Sequence, residues 1–278
     1  MVKIICDSTA DVTSELAQKY GITTVPLNIH FGNEAYRDRV DLTAEEFYKK
    51  LVESKVHPST SAPAPGLFVE AYKKLSKETN EILVITISGG ISATAESAIQ
   101  AKGIVGDIVK IEVIDSLQTI GGELLLVIKA AEAAESGAKL AEITALVKDA
   151  IPRVHSYMVF DTLEYLQKGG RIGKAQAWLG GLLKFNPILT LKNGVIHPVT
   201  RAWGREQSID ALVGLIKAIP KLEGLVIEDA TTPDELEILA DRLSEIYPKG
   251  KMYRSRVSPA IGVHVGPHVL AALALEGK

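Results

Sequence analysis

The sequence predicts an α/β protein of two domains, an amino-terminal one on a parallel sheet and a carboxy-terminal α+β layered one. Three observations predict it. Short apolar runs alternate with amphipathic stretches through the first half, as in parallel strands joined by helical crossovers. Beyond residue 152 the pattern changes to paired strand-like runs around Asn193-Gly194, the strongest short hairpin signal. The length, 278 residues, is long for one compact core and comfortable for two. The predicted domains are 1–152 and 153–278, with the boundary near Ile151-Pro152-Arg153.

The elements follow in order. Residues 3–6 read as a buried strand ending at Asp7-Ser8-Thr9. A helix follows, with Thr13 as N-cap, Glu15 in its first turn and Gly21 past its end. Residues 22–31 are β-branched and read as one strand. Thr43-Ala44-Glu45-Glu46 fits a capping box that opens a helix to about residue 53. Residues 58–66 hold three prolines and read as a loop, with a helix over 67–77. A strand over 81–87, a turn at Gly89-Gly90 and a helix over 92–102 come next. A strand over 108–114 ends at Asp115-Ser116, and two Ala/Leu-rich helices reach residue 150. In such sheets ligands bind beyond the carboxyl ends of the strands, where Asp7-Ser8-Thr9, Ser88-Gly89-Gly90 and Asp115-Ser116 all fall. The second half reads as a strand over 154–160, a glycine-rich bend over 168–173 and the hairpin 187–191/195–199. Helices over 205–218 and 233–247 flank a strand over 225–228, and residues 251–257 and 261–265 are further strand candidates.

Composition narrows the function. Net charge is -3, without the basic excess that tracks nucleic-acid phosphates. The single cysteine, Cys6, sits in an apolar run and reads as a small buried hydrophobe. No signal peptide and no apolar stretch of about 18 residues is visible, so a cytoplasmic location is the expectation.

Common site motifs fail inspection. Gly169 and Gly173 precede Lys174, but only three residues separate the glycines and Ala175 follows the lysine, so no phosphate loop forms. No G-x-G-x-x-G follows the first strand. His264 and His268 have helical metal-ligand spacing, but Gly266-Pro267 between them breaks a helix; no metal is expected.

Four features remain. Ser92, in Gly90-Ile91-Ser92-Ala93-Thr94, sits at a strand-to-helix turn. It reads as a helix cap, as a nucleophile at an elbow that lacks its second glycine, or as a donor to a carboxylate held at the helix start. Thr60-Ser61 are solvated turn residues or hydroxyls facing the same crevice. His264, among apolar residues, is a satisfied core histidine or a donor. Arg171, in Gly169-Gly170-Arg171-Ile172-Gly173, is a solvated charge or an open fork for a phosphate or carboxylate.

Along essentially its whole length the chain resembles the DegV family, the fatty-acid-binding proteins also called FakB. Asp7-Ser8-Thr9-Ala10-Asp11 is similar to that family's D-S-T-A-D, and Thr60-Ser61-Ala62-Pro63 to its T-S-Q-P. Ser88-Gly89-Gly90-Ile91-Ser92-Ala93-Thr94 resembles S-S-x-L-S-G-T, and Asp115-Ser116 its D-S. Lys168-Gly169-Gly170-Arg171-Ile172 matches K-G-G-R-I, and His264-Val265-Gly266-Pro267 matches H-V-G-P. Each motif is short; their number, order and spacing make the match specific.

The resemblance implies a bacterial carrier, not an enzyme, that buries a long-chain fatty acid between its domains. It implies a partner, an ATP-dependent fatty acid kinase of the FakA type, which makes acyl phosphate for phospholipid synthesis on the bound lipid. Thr60, Ser92 and His264 would hold the carboxylate, and Arg171 at the opening would assist phosphoryl transfer. No cofactor beyond the fatty acid is implied, and membrane contact would be transient. The physics agrees: a buried carboxylate needs convergent donors, and some fifteen methylenes at about 0.8 kcal/mol each give roughly 12 kcal/mol before association costs. Ala93 replaces a usual glycine, Trp203 stands where a basic residue is common, and His268 replaces a small residue, predicting a bulkier wall there. The competing reading is a serine hydrolase of acyl esters using Ser92 and His264 with Asp115 or Asp229.

Overall fold

The computed structural model describes residues 1–179 and 185–278. Four of the five residues of β1 (Lys3–Asp7) are buried, because helices cover both faces of the sheet it belongs to. Helix α1 (Ser14–Tyr20) is capped by the Thr13 side chain on Leu16 N and stops at left-handed Gly21, as the sequence predicts. The expected single strand over 22–31 is instead two strands in two sheets. β2 (Thr23–Val25) lies parallel beside β1, whereas β3 (Asn28–Phe31) pairs antiparallel with β4 (Glu34–Arg37). Pro26 has no N–H to continue a ladder, and the next amide, Leu27 N, donates to Ser8 Oγ at 3.1 Å. α2 (Ala44–Glu53) carries the predicted capping box of Thr43 and Glu46.

β5 (Ser59–Ser61) corrects the loop expected at 58–66. It is a three-residue edge strand on β3, with Thr60 opposite Ile29. Pro63 and Pro65 follow it, and Pro65 takes the first position of α3 (Pro65–Leu75). β6 (Glu81–Thr86) pairs parallel with β1, and a turn leads to α4 (Thr94–Val105). β7 (Lys110–Asp115) completes a parallel sheet of order β2-β1-β6-β7. α5 (Ile120–Glu135) and α6 (Leu140–Ala150) close the first half.

The second half opens with β8 (Val154–Val159) and the short α7 (Glu164–Lys168), which leads into the glycine bend. β9 (Asn186–Lys192) and β10 (Val195–Ala202) form the predicted hairpin. α8 (Arg205–Lys217), β11 (Leu222–Asp229), α9 (Pro233–Leu243) and β12 (Tyr253–Arg256) follow. Residues 261–265, expected as a strand, belong to α10 (Pro259–Val265). Ser258-Pro259 is a helix start, with proline where its missing N–H costs nothing, and it overrides the β-branched residues behind it. The last strand, β13 (Leu270–Glu276), has no counterpart in the sequence reading, yet it lies between β8 and β11. The sheet runs β10-β9-β8-β13-β11-β12, antiparallel except for β11 with β12.

α5 joins the two sheets. Twelve of its sixteen residues are buried, and it touches β1 and β6 on one side and β8, β11 and β13 on the other. Gly121 permits the close approach, since a Cβ there would stand 2.5 Å from Val226 Cγ1. One apolar core therefore runs through both layers, with Leu83, Ile85, Leu124, Met158 and Leu273 in contact with it. Among the described residues no helix is long and apolar enough to cross a membrane.

Candidate functional site

Four elements bring the sequence-predicted residues to one place. Thr60 comes from β5, Ser92 from the turn before α4, His264 from α10 and Arg171 from the bend after α7. All four line one cavity of about 130 Å³ between the two sheets. The rest of its wall is mostly apolar, including Leu27, Ile87, Met158, Leu166, Ile196 and Ile261.

Thr60 Oγ1 and His264 Nε2 lie 2.8 Å apart. Burial, then the charge of Arg171 and the nearby His57, pulls the His264 imidazole from 6.5 to about 4, so the ring is neutral near pH 7. In the tautomer with the proton on Nε2, His264 donates to Thr60 and the threonine proton is left for another acceptor. His264 Nδ1 is buried without a partner among the described residues. The Gly169 backbone packs against that nitrogen so closely that a Cβ at 169 would overlap it. This contact explains the first glycine of the bend, and nothing in the sequence pointed to it.

Ser92 does not cap α4. Ala93 occupies the cap position, and Ser92 Oγ lies 2.8 Å from Thr94 Oγ1. One of the two hydroxyls donates to the other, so one proton remains available. Thr94 is fully buried, which leaves Ser92 as the hydroxyl at the cavity wall. Arg171 is fixed by two backbone carbonyls, with Nη1 on Gly169 O at 2.7 Å and Nε on Ile91 O at 3.2 Å. Its remaining guanidinium nitrogen has no assigned protein acceptor among the described residues. Ile91, Ser92, Ala93 and Arg171 also line an open recess of about 360 Å³ outside the cavity. These four residues form a doorway between buried and open space.

Other expectations change on inspection. His268 is exposed and faces a separate outer groove with His57 and Lys168, so it does not add bulk to the cavity wall. Trp203 is 61% exposed and lines neither cavity nor recess. Of its neighbours, Arg205 is committed to Glu235 and Asp161, and the Arg201 guanidinium stacks 4.8 Å from the Trp178 ring. A hydrolase relay is not assembled. Asp115 accepts from Gly89 N and Leu117 N at 3.0 and 2.8 Å, and Asp229 accepts from Thr232 N at 2.7 Å. Neither carboxylate reaches His264, whose ring bonds Thr60 and not Ser92. Sequence reasoning also missed Thr119, a cavity residue whose Oγ1 is buried without a partner among the described residues. Its place before α5 was legible as a helix start, but its direction was not.

A family model described as an uncharacterised protein of the DegV family matches residues 1–277. A DegV domain-containing protein of Caldanaerobacter subterraneus is 37% identical over 270 residues, 96% of this chain and 95% of that one. Among solved structures, a fatty acid-binding DegV family protein from Thermus thermophilus superposes with a TM-score of 0.93 at 28% identity, over 99% of both chains. The Bacillus subtilis fatty acid-binding protein DegV superposes with a TM-score of 0.90 at 29% identity, over 99% of both chains.

Proposed function

The chain belongs to the DegV family, and from that premise we propose that it binds a long-chain fatty acid in the cavity and presents its carboxylate to a separate ATP-dependent fatty acid kinase. Thr60, Ser92 and His264 hold the carboxylate. Two hydroxyl protons, that of Thr60 freed by the His264 N–H, offset the cost of desolvating that charge. The observation that carries the reading is the doorway: Ser92 and Arg171 line both the apolar cavity and the open recess. A carboxylate at that point has its tail in apolar surroundings and its oxygens within reach of a phosphoryl donor outside. A carboxylate oxygen attacks the terminal phosphorus of ATP, the bond to ADP breaks, and acyl phosphate forms. Arg171 stabilises the charge that builds on the transferring group. In this reading the protein is a carrier and co-substrate rather than a catalyst, cytoplasmic and in transient contact with the membrane that supplies its lipid. Division of the chain at 152/153 belongs to the same proposal, with the lipid seated between the two parts.

Native mass spectrometry of the purified protein, followed by melting with and without added fatty acid, tests the reading. A co-purifying monocarboxylic lipid and a higher melting temperature of delipidated protein on adding fatty acid are expected, because a ligand of the native state stabilises it. An empty protein that no chain length stabilises would overturn it.

A further inference from the structure

Asp7-Ser8-Thr9-Ala10-Asp11 supplies no residue to the cavity wall. Its side chains nevertheless bond to all three carriers of the head-group donors. Asp7 Oδ2 accepts from Ile87 N at 2.7 Å, immediately before the turn that presents Ser92. Ser8 Oγ accepts from Leu27 N at 3.1 Å, where the chain enters β3, the strand that pairs with β5 and Thr60. The same hydroxyl donates to Asp38 Oδ2 at 2.7 Å. Asp38 Oδ1 accepts from Ala260 N at 3.4 Å, and Asp11 accepts from Ser258 N at 3.2 and 3.3 Å. Arg39 bridges Asp11 at 2.9 Å and Arg256 O at 2.5 Å, and Tyr48 donates to Val257 O at 3.0 Å. The entry of α10 is thus gripped by first-half side chains, and His264 lies four residues, about one turn, beyond Ala260.

We propose that Asp7, Ser8 and Asp11, with Asp38 and Arg39, are positioning residues that hold Ser92, Thr60 and His264 in mutual register from beneath the cavity. The inference rests on the fatty-acid reading for its purpose, though not for its geometry. Burying carboxylates is a poor route to stability, because desolvation cancels most of the attraction. Asp7, Asp11 and Asp38 are nonetheless each within 1% of full burial. Asp11 and Arg39 also hold left-handed backbone, at φ 53° and 59°, a strain that persists only where surroundings over-determine it. Both costs are explained if the segment fixes geometry: a hydrogen bond sets direction and distance where apolar packing would let α10 slide. Each grip falls on a backbone N–H or carbonyl, so it fixes the main chain whatever the side chains of α10 are.

The test uses Asp38→Asn, which leaves one acceptor oxygen where Ser8 Oγ and Ala260 N each had its own, and Ser8→Ala, which removes the grip on Leu27 N, with Asp11→Asn as the more severe variant. In lipid-free protein, nitrogen-15 spectra of the His264 ring should shift in Asp38→Asn, reporting an altered contact with Thr60. Oleic acid affinity should fall about tenfold in each variant. In a His264→Ala background the Asp38→Asn loss should largely disappear, since it acts through that ring. Unshifted His264 resonances with wild-type affinity would overturn the proposal, as would losses that simply add in the double variant. A melting temperature that drops while ring resonances and affinity stay put marks a merely structural role and overturns it too. Wild-type protein that binds neither oleic acid nor a fatty acid of any other chain length would sink the fatty-acid reading, and the lipid-free resonance test would still decide the positioning one.

Discussion

The donor atoms of the cavity and the carboxylate network beneath it are both polar and both buried, yet they are paired differently. At the cavity, His264 Nδ1 and Thr119 Oγ1 have no partner among the described residues. In the network, both oxygens of Asp7, Asp11, Asp38 and Glu228 accept hydrogen bonds. Its orphan side-chain oxygens are Ser258 Oγ and Glu123 Oε1, and the second has an explanation. Thr9 Oγ1 has one proton for Asp7 at 2.7 Å and Glu123 at 3.1 Å, a conflict that a protonated Glu123 removes. Burial, then the charge of Asp7, pushes the Glu123 carboxyl up in that direction. The contrast teaches how to tell a receptor from a scaffold: unspent hydrogen-bonding capacity marks where a ligand completes the structure, and spent capacity marks where the structure completes itself.

The comparison breaks most visibly at Arg171. Arg171→Ala should lower kinase-dependent acyl-phosphate formation by about 100-fold or more, the scale of losing a charge-stabilising donor, with lipid affinity largely kept. Arg171→Lys should rescue little, because an ammonium cannot reproduce the planar fork. Phosphorylation at the wild-type rate would remove Arg171 from the reaction, and joint loss of fold, affinity and phosphorylation would make it a brace for the bend.

The donor set sharpens the contrast at the next scale. Ser92→Ala and Thr60→Ala each remove a donor to a buried charge, and His264→Ala removes the N–H that frees the Thr60 proton for it, about 1.5–3 kcal/mol each, so fatty-acid affinity should fall roughly 10- to 150-fold. Titration with a fluorescent fatty acid, paired with melting curves, separates affinity from folding. Three variants that bind like wild type would move the head group elsewhere.

The smallest effect is the most diagnostic, because the two regions should respond to pH with opposite sign. The His264 ring titrates at about 4 in the fold against 6.5 ordinarily, so its contribution to stability is complete above pH 6.5 and lost as pH falls through 4. Burial pushes Asp38 from 3.8 up to about 6, so its contribution is complete below pH 3.8 and lost as pH rises through 6. Each has a limit of about 3 kcal/mol. Between pH 4 and 6, His264→Ala should make the slope of melting temperature with pH more negative, and Asp38→Asn should make it more positive. Slope changes of one sign in both variants would show that the two regions do not differ in this way.

Local chemistry made much of the molecule legible. The Thr13 cap, the Thr43 capping box and the Asn193-Gly194 hairpin depend on neighbours within a few residues, and the parallel first sheet shows as strand–helix alternation along the chain; all stand where the sequence placed them. The motifs also named Thr60, Ser92, Arg171 and His264, because unusual residue types at fixed spacing survive as a pattern along the chain. What tertiary structure alone decided depends on contacts far apart in sequence. Residues 270–275 are apolar throughout, so they carry no period to distinguish strand from helix; pairing with β8 and β11 made them part of β13. Residues 261–265 have strand-like side chains, but Asp11 and Asp38, more than 200 positions earlier, hold the start of a helix there. Thr60 and His264 are 204 positions apart and 2.8 Å from each other. A sequence records which donors exist; only the folded chain, by closing loops of that length, fixes which of them meet and which are left with a hydrogen bond still to make.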